Sequence, residues 1–193
     1  KQKSSPPKVT DENQASANEP MNIATVFNKH FSSIGRSLDE KIPSSTNGFR
    51  FYTSSPLDHS MLLLPTTIVE VADQLNSLTA SKVCGPFSIP TNLLKLGSDY
   101  ISSPLSYIIN ESFNQGIFPR IFKVAKVTPI FKSDSTQDCS NYRPISLLSN
   151  ISKVIEKCMY NRLYQNAEKN KIICNLQFGF RKQHSTLHAL LNL

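Results

Sequence analysis

Tryptophan is absent from this 193-residue chain, and only six glycines, four cysteines and 18% charged residues are present. The missing tryptophan excludes little. The scarce glycine excludes more: Gly85, Gly116 and Gly179 stand alone, so neither a Walker phosphate loop nor a dinucleotide-binding fingerprint occurs. Cys84, Cys139, Cys158 and Cys174 lie 55, 19 and 16 positions apart with no C-x-x-C pair. They read as reduced thiols of a nuclear or cytoplasmic protein, not as a disulfide scaffold. His184 and His188, four apart, would complete a zinc set with Cys158 and Cys174, against the preference of structural zinc for tight cysteine pairs. No G-x-S-x-G elbow accompanies the serines, and His30, His59, His184 and His188 have no spacing tied to a nucleophile. The longest apolar run is a handful of residues around Met61 to Leu64, and no leader follows Lys1. The expectation is a chain without a membrane span or signal peptide, beginning and ending like an excised piece.

Charge is present but unevenly placed. Residues 1–20 carry three basic and three acidic side chains, residues 21–115 six and seven, and residues 116–193 twelve and four. The net +7 therefore belongs to the last block. An excess concentrated in this way attracts polyanions by steering and counterion release, which puts nucleic acid first among partners.

Composition and periodicity divide the chain. Residues 1–20, polar and aperiodic, read as a disordered linker. Ile23, Val26, Phe27, Phe31, Ile34 and Leu38 predict an amphipathic helix over 21–42, and Ser, Thr and Pro make 43–65 a connector. Thr67 and Glu70 have capping-box spacing ahead of the stripe Ile68, Val71, Leu75, Leu78. After the turn CGPFSIP, Thr91 to Leu96 predicts a short helix, and Ile101, Leu105, Ile108, Ile109 and Phe113 a longer one stopped by Gly116. FKVAKVTPIFK and YRPISLL then read as two strands of a hairpin with a long mobile tip, residues 133–141, Pro129 keeping the first off a central position. Ile151, Val154, Ile155, Cys158, Met159 and Leu163 predict a helix from about Asn150 to Asn170, with Lys153, Lys157 and Arg162 as a basic surface upon it.

Taken alone, Lys126, Lys132 and Arg143 near one loop, with Arg181 and Lys182 further on, suit phosphates: lysine as a point charge, arginine as a planar fork. A solvated basic face is the other reading of the same residues. Asp134 and Asp138 fit side-chain-to-backbone turns better than metal binding. Phe178 and Phe180 read as core residues first and as stacking platforms second.

Together, GIFPRIFKVAKVTPIFKSD, NYRPISLLSNISKVIEKCMYNRL and QFGFRKQHSTLHALL resemble, in order and spacing, the fingers region of jockey-like non-LTR retrotransposon reverse transcriptases. Upstream, KVCGPFSIPTNLLK resembles the K-x-x-GPDGIP-x-x-LLK segment of that family, with Phe87 and Ser88 where Asp and Gly are usual, and FNKHFSSIG resembles the motif joining endonuclease to polymerase. Beyond the linker over 1–20, the resemblance covers roughly residues 21–193 and implies an α+β fold: a helical N-terminal extension over 21–115, and over 116–193 the fingers hairpin and first helices of a right-hand polymerase with an incomplete palm. It implies a fragment of an RNA-directed DNA polymerase that lacks the family's catalytic aspartates and is inactive alone. Magnesium would serve the parent enzyme and none would be bound here. Lys132 and Arg143 would hold the triphosphate of the incoming dNTP. Gln177, Phe180, Arg181 and Lys182 would lie along template and primer, with Gly179 allowing close backbone approach. Partners would be RNA template, RNA–DNA hybrid and, in the complete enzyme, dNTP. The alternative is a non-catalytic nucleic-acid-binding remnant of a decayed or exapted element.

Overall fold

The computed structural model describes residues 8–10, 16–43, 47–48, 51, 60–79, 85–86 and 89–191. Most of the connector over 43–65 and the Phe87–Ser88 departure lie outside them. The architecture is α+β, with helices accompanied by small antiparallel ladders. The chain divides into two compact units, Lys1–Asp58 with Ala125–Leu147 and His59–Val124 with Leu148–Leu193. Neither unit is continuous in sequence. No helix among the described residues is long and apolar enough to cross a membrane.

In the first unit, strands β1 (Val9–Thr10) and β2 (Ser16–Ala17) pair antiparallel, which places ladder inside the stretch expected to be a linker. The reason is apolar burial: Val9 and Ala17 join Ile23, Phe27, Cys139 and Tyr142 in one core. Helix α1 (Pro20–Asp39) starts with proline at its first position, where a missing N–H costs nothing. Ile23 and Phe27 of its stripe are buried, while Ile34 and Leu38 stay exposed. The hairpin strands β3 (Lys126–Phe131) and β4 (Tyr142–Leu147) pair antiparallel, Pro129 facing Pro144. Lys132 N–H donates to the Asn141 carbonyl at 2.8 Å, so the alternation makes Pro129 and Pro144 a pair without mutual hydrogen bonds. Their missing N–H groups would have pointed to the outer edges, and each edge thereby loses one donor.

The second unit is helical. Thr67 caps α2 (Ile68–Asn76), its hydroxyl accepting the Glu70 N–H at 3.0 Å. Beside it, Thr66 is buried with its polar groups answered: Asn110 accepts its N–H at 2.7 Å, and Ser106 and Asn110 donate to its carbonyl. Helix α3 (Thr91–Leu96) runs into α4 (Ser98–Gln115), which ends at Gly116 with φ 65°. Glycine takes that left-handed conformation without the Cβ clash another residue would meet. Ser149 caps α5 (Asn150–Lys169), and Ser152 donates to the Phe122 carbonyl at 3.0 Å. Val71, Leu75, Leu94, Leu105, Ile109, Phe113, Val154, Ile155 and Cys158 pack into one core. Each large apolar side chain buried there contributes roughly 1.5–3 kcal/mol. A final turn, α6 (Thr186–Leu191), follows an irregular segment.

Candidate nucleotide and nucleic-acid surfaces

The hairpin register decides which side chains share a face. Lys126, Thr128 and Ile130 oppose Leu147, Ile145 and Arg143, and the Lys132–Asn141 bond carries the alternation one step further. Lys132 and Arg143 therefore stand on one face as diagonal neighbours, about 7–8 Å apart in such a ladder. Both are exposed, and neither forms a salt bridge among the described residues. An ammonium and a guanidinium fork so placed suit an anion with several oxygens, as a triphosphate has. Lys126 shares the face but belongs to its far end, opposite Leu147, not to the loop. Six residues of strand separate it from Lys132 by about 20 Å.

The opposite face anchors the hairpin. Phe131 and Tyr142 turn toward α1, where the Phe27 and Tyr142 rings meet edge-on at 4.8 Å. The tip, expected to be mobile, is cross-tied: Tyr142 donates its hydroxyl to the Thr136 carbonyl at 2.7 Å, and Asn141 its amide to Ser135 at 3.0 Å. Thr10 N–H donates to the Gln137 carbonyl at 2.8 Å, so β1 reaches the tip from over a hundred positions away. Asp138 accepts the Ser140 N–H at 2.8 Å, the turn role read from sequence; this bond holds its carboxyl below the usual value. Asp134 accepts the Ser133 hydroxyl at 3.1 Å.

The segment Gln177–Lys182, in the second unit, is more engaged with its own unit. Gln177 donates its side-chain amide to the Gly179 carbonyl at 2.9 Å. A Cβ on Gly179 would meet only that amide, at an ordinary 3.6 Å, and Gly179 is not the residue of this segment with a positive φ. It is Phe180, with φ 60°, whose ring is fully exposed and not part of a core as first read. Arg181 is tied to Glu168 at 3.2 Å and donates to the Cys174 carbonyl at 3.4 Å. Its bond to Glu168 lowers that carboxyl's pKa. Lys182 places its ammonium 5.8 Å from the Tyr164 ring centre.

Arg162 departs from the basic surface expected on α5. Its guanidinium grips both Glu70 oxygens at 2.9 Å, donates to the Leu64, Pro65 and Cys158 carbonyls and lies 5.4 Å from the Phe113 ring centre. The Arg162 hydrogen bond holds the Glu70 carboxyl below its ordinary value, with the Thr67 N–H contributing through the capping box. Periodicity missed this because the partner carboxylate is 92 positions away. Cys158 is buried in the core, and burial pushes its thiol up to about 11. No group of three metal-ligating side chains exists among the described residues, so the His184, His188, Cys158 and Cys174 set is not assembled there.

No family model matches the chain. Among curated proteins it is 34% identical, over 145 residues, to the RNA-directed DNA polymerase from mobile element jockey of Drosophila melanogaster. It is 30% identical over 142 residues to the protein of the same name from Drosophila funebris, and 31% over 140 to the probable RNA-directed DNA polymerase from transposon BS of Drosophila melanogaster. These matches cover 73%, 72% and 72% of the chain. The similarities place it in the class of RNA-directed DNA polymerases of mobile elements. Within that class, the chain belongs to the jockey-like non-LTR retrotransposon reverse transcriptases, and it spans 16% of the length of each of these relatives.

Proposed function

We propose that this chain supplies the nucleotide-clamping hairpin and part of the template path of an RNA-directed DNA polymerase of right-hand architecture. The observation that carries the reading is the pairing of Lys132 and Arg143 on the open face of a hairpin whose other face is packed against α1. Rigid backing matters because stabilising charge developing at a phosphate requires cations already in position. The exposed Phe180 ring and the Lys182 ammonium are the members of the Gln177–Lys182 segment offered to a template or primer strand. Arg181, held by Glu168, positions that segment instead.

Magnesium is the metal that a polymerase of this family implies. The hairpin carboxylates do not fit it: Asp138 already holds the Ser140 N–H and Asp134 the Ser133 hydroxyl, on a loop and not on converging rigid elements. No catalytic step is assigned to them. Primer extension by the isolated chain with magnesium and a homopolymer template should stay at background, and robust extension would refute this assignment.

The direct test is binding of dATP and of inorganic tripolyphosphate to the purified chain, read by calorimetry. Wild type should prefer triphosphate to monophosphate, and Arg143→Ala or Lys132→Ala should each weaken triphosphate binding about tenfold, as loss of a charge-assisted hydrogen bond does. Equal affinity for all three proteins would return both residues to a solvated face. In the complete enzyme, Arg143→Lys should mainly raise the dNTP concentration required, because a point charge replaces a fork.

A further inference from the structure

Helix α5 carries a second stripe that the core does not use. Val154, Ile155 and Cys158 are buried, and Arg162 turns to the same side to meet Glu70. Lys153, Lys157, Tyr160 and Tyr164 fall at steps of four, three and four. At 100° per residue these four cluster within about 60° of arc on the side away from that core, over about 16 Å of helix. The Tyr160 and Tyr164 rings are stacked, centroids 5.4 Å apart and planes inclined by 24°. Lys182 sets its ammonium by the Tyr164 ring, which leaves Tyr160 as the more exposed end of the stack.

The lysine end of the stripe borders an open cavity of about 460 Å³ lined by Leu78, Thr79, Asn150, Lys153, Glu156, Lys157 and Tyr160. Lys157 donates to the Ser77 hydroxyl at 2.8 Å and Lys153 to the Asn150 amide oxygen at 3.4 Å. Neither forms a salt bridge among the described residues. Glu156 is the acid on the cavity wall; burial raises its pKa and Lys153 opposes that rise. Glu168, at the tyrosine end, is occupied by Arg181 and by a hydrogen bond with Tyr164. Three lysines against one carboxylate that forms no salt bridge among the described residues leave the stripe positive.

We infer that this stripe is a binding track for single-stranded RNA, bases stacking on Tyr160 and the sugar–phosphate chain running over Lys153, Lys157 and Lys182. Two stacked aromatic rings in line with ammonium groups match the needs of an unpaired strand, which offers base faces and phosphates at a regular interval. At ~3.4 Å per stacked nucleotide, about 16 Å accommodates four or five nucleotides. A duplex hides its base faces and forfeits the tyrosine contribution. The track rests on the polymerase reading for the identity of its ligand, but it is a surface separate from the Lys132–Arg143 pair and does not require that pair to bind nucleotide.

The test uses the whole 193-residue chain and a labelled oligo(rU) of about twelve nucleotides, within the usual range of single-strand site sizes, followed by anisotropy at several salt concentrations. Lys153→Gln with Lys157→Gln should lower the log–log salt slope by about 1.4, two phosphates at ~0.7 each. Lys153→Gln alone, which keeps the Lys157–Ser77 bond, should lower it by about 0.7, guarding against a fold defect. Tyr160→Ala should weaken binding on the order of tenfold with the slope unchanged, and Tyr160→Phe should restore it, since stacking needs the ring and not the hydroxyl. An unchanged slope in the lysine variants, equal displacement by poly-glutamate, or no binding by wild type would each overturn the track. Triphosphate binding through Lys132 and Arg143 is read separately by calorimetry, so the hairpin reading can fail while the track stands, and the reverse.

Discussion

Two arginines in this chain look alike in sequence and differ in what surrounds them. Arg143 stands on an open hairpin face without a salt bridge among the described residues, while Arg162 is locked by Glu70 and by backbone carbonyls within its helical unit. A guanidinium whose donors are already satisfied has little left for a ligand, and one facing solvent keeps its fork available. Counting basic residues in a stretch of sequence therefore overstates the charge offered to nucleic acid. Of the twelve in residues 116–193, Arg162 and Arg181 are held by Glu70 and Glu168.

The sharpest way to break this comparison is Arg162→Ala. It leaves Glu70 partly buried and unpaired and should destabilise the fold by about 3 kcal/mol, as removal of one partner of an enclosed ion pair does. Arg143→Ala should change stability by less than about 0.5 kcal/mol, the range of surface substitutions. Urea unfolding of both variants would decide, and equal losses would erase the distinction.

Acid should act on the same pair. The folded Glu70 carboxyl lies below its ordinary 4.5, chiefly through the Arg162 hydrogen bond. A depressed carboxylate contributes stability that is complete above its unfolded pKa and disappears as pH falls through the folded value. Wild type should therefore lose stability below about pH 4.5, and Glu70→Gln should lose less over the same window, measured as urea midpoints at descending pH. Parallel curves would mean that the pair does not contribute.

Phe180→Gly should have a smaller and divided effect. A left-handed backbone costs a non-glycine residue roughly 1–2 kcal/mol, offset by the greater unfolded freedom of glycine, so stability should rise by about 1 kcal/mol or less. Loss of the exposed ring should at the same time weaken single-strand binding. A variant that binds as wild type would leave Phe180 without a ligand role. Smallest of all, Arg181→Ala should leave the urea midpoint close to that of wild type, because Glu168 is exposed and screened. A loss matching that of Arg162→Ala would show that the Glu168 tie is as structural as the Glu70 one.

Local rules carried much of the fold. The three- and four-residue apolar spacing of α1, α2, α4 and α5, the Thr67 cap, the Gly116 stop and the hairpin strands are short-range features, and each emerges where periodicity places it. The placement of Lys132 and Arg143 on one face also follows from strand register once the strands pair. The exposure of Phe180 was not legible, since QFGFR gives no sign that its backbone turns left-handed at the second phenylalanine and not at Gly179. Nor was the tied hairpin tip, which depends on Thr10 arriving from the N-terminal stretch.

The amino-acid sequence by itself determined the elements and the family, because helix period, strand alternation and motif order are written within short windows of chain. Only the tertiary structure decided which cations remain available. Glu70 and Arg162, 92 positions apart, become partners only after α2 and α5 pack on a shared core, and that packing turns Lys153, Lys157, Tyr160 and Tyr164 outward as one stripe.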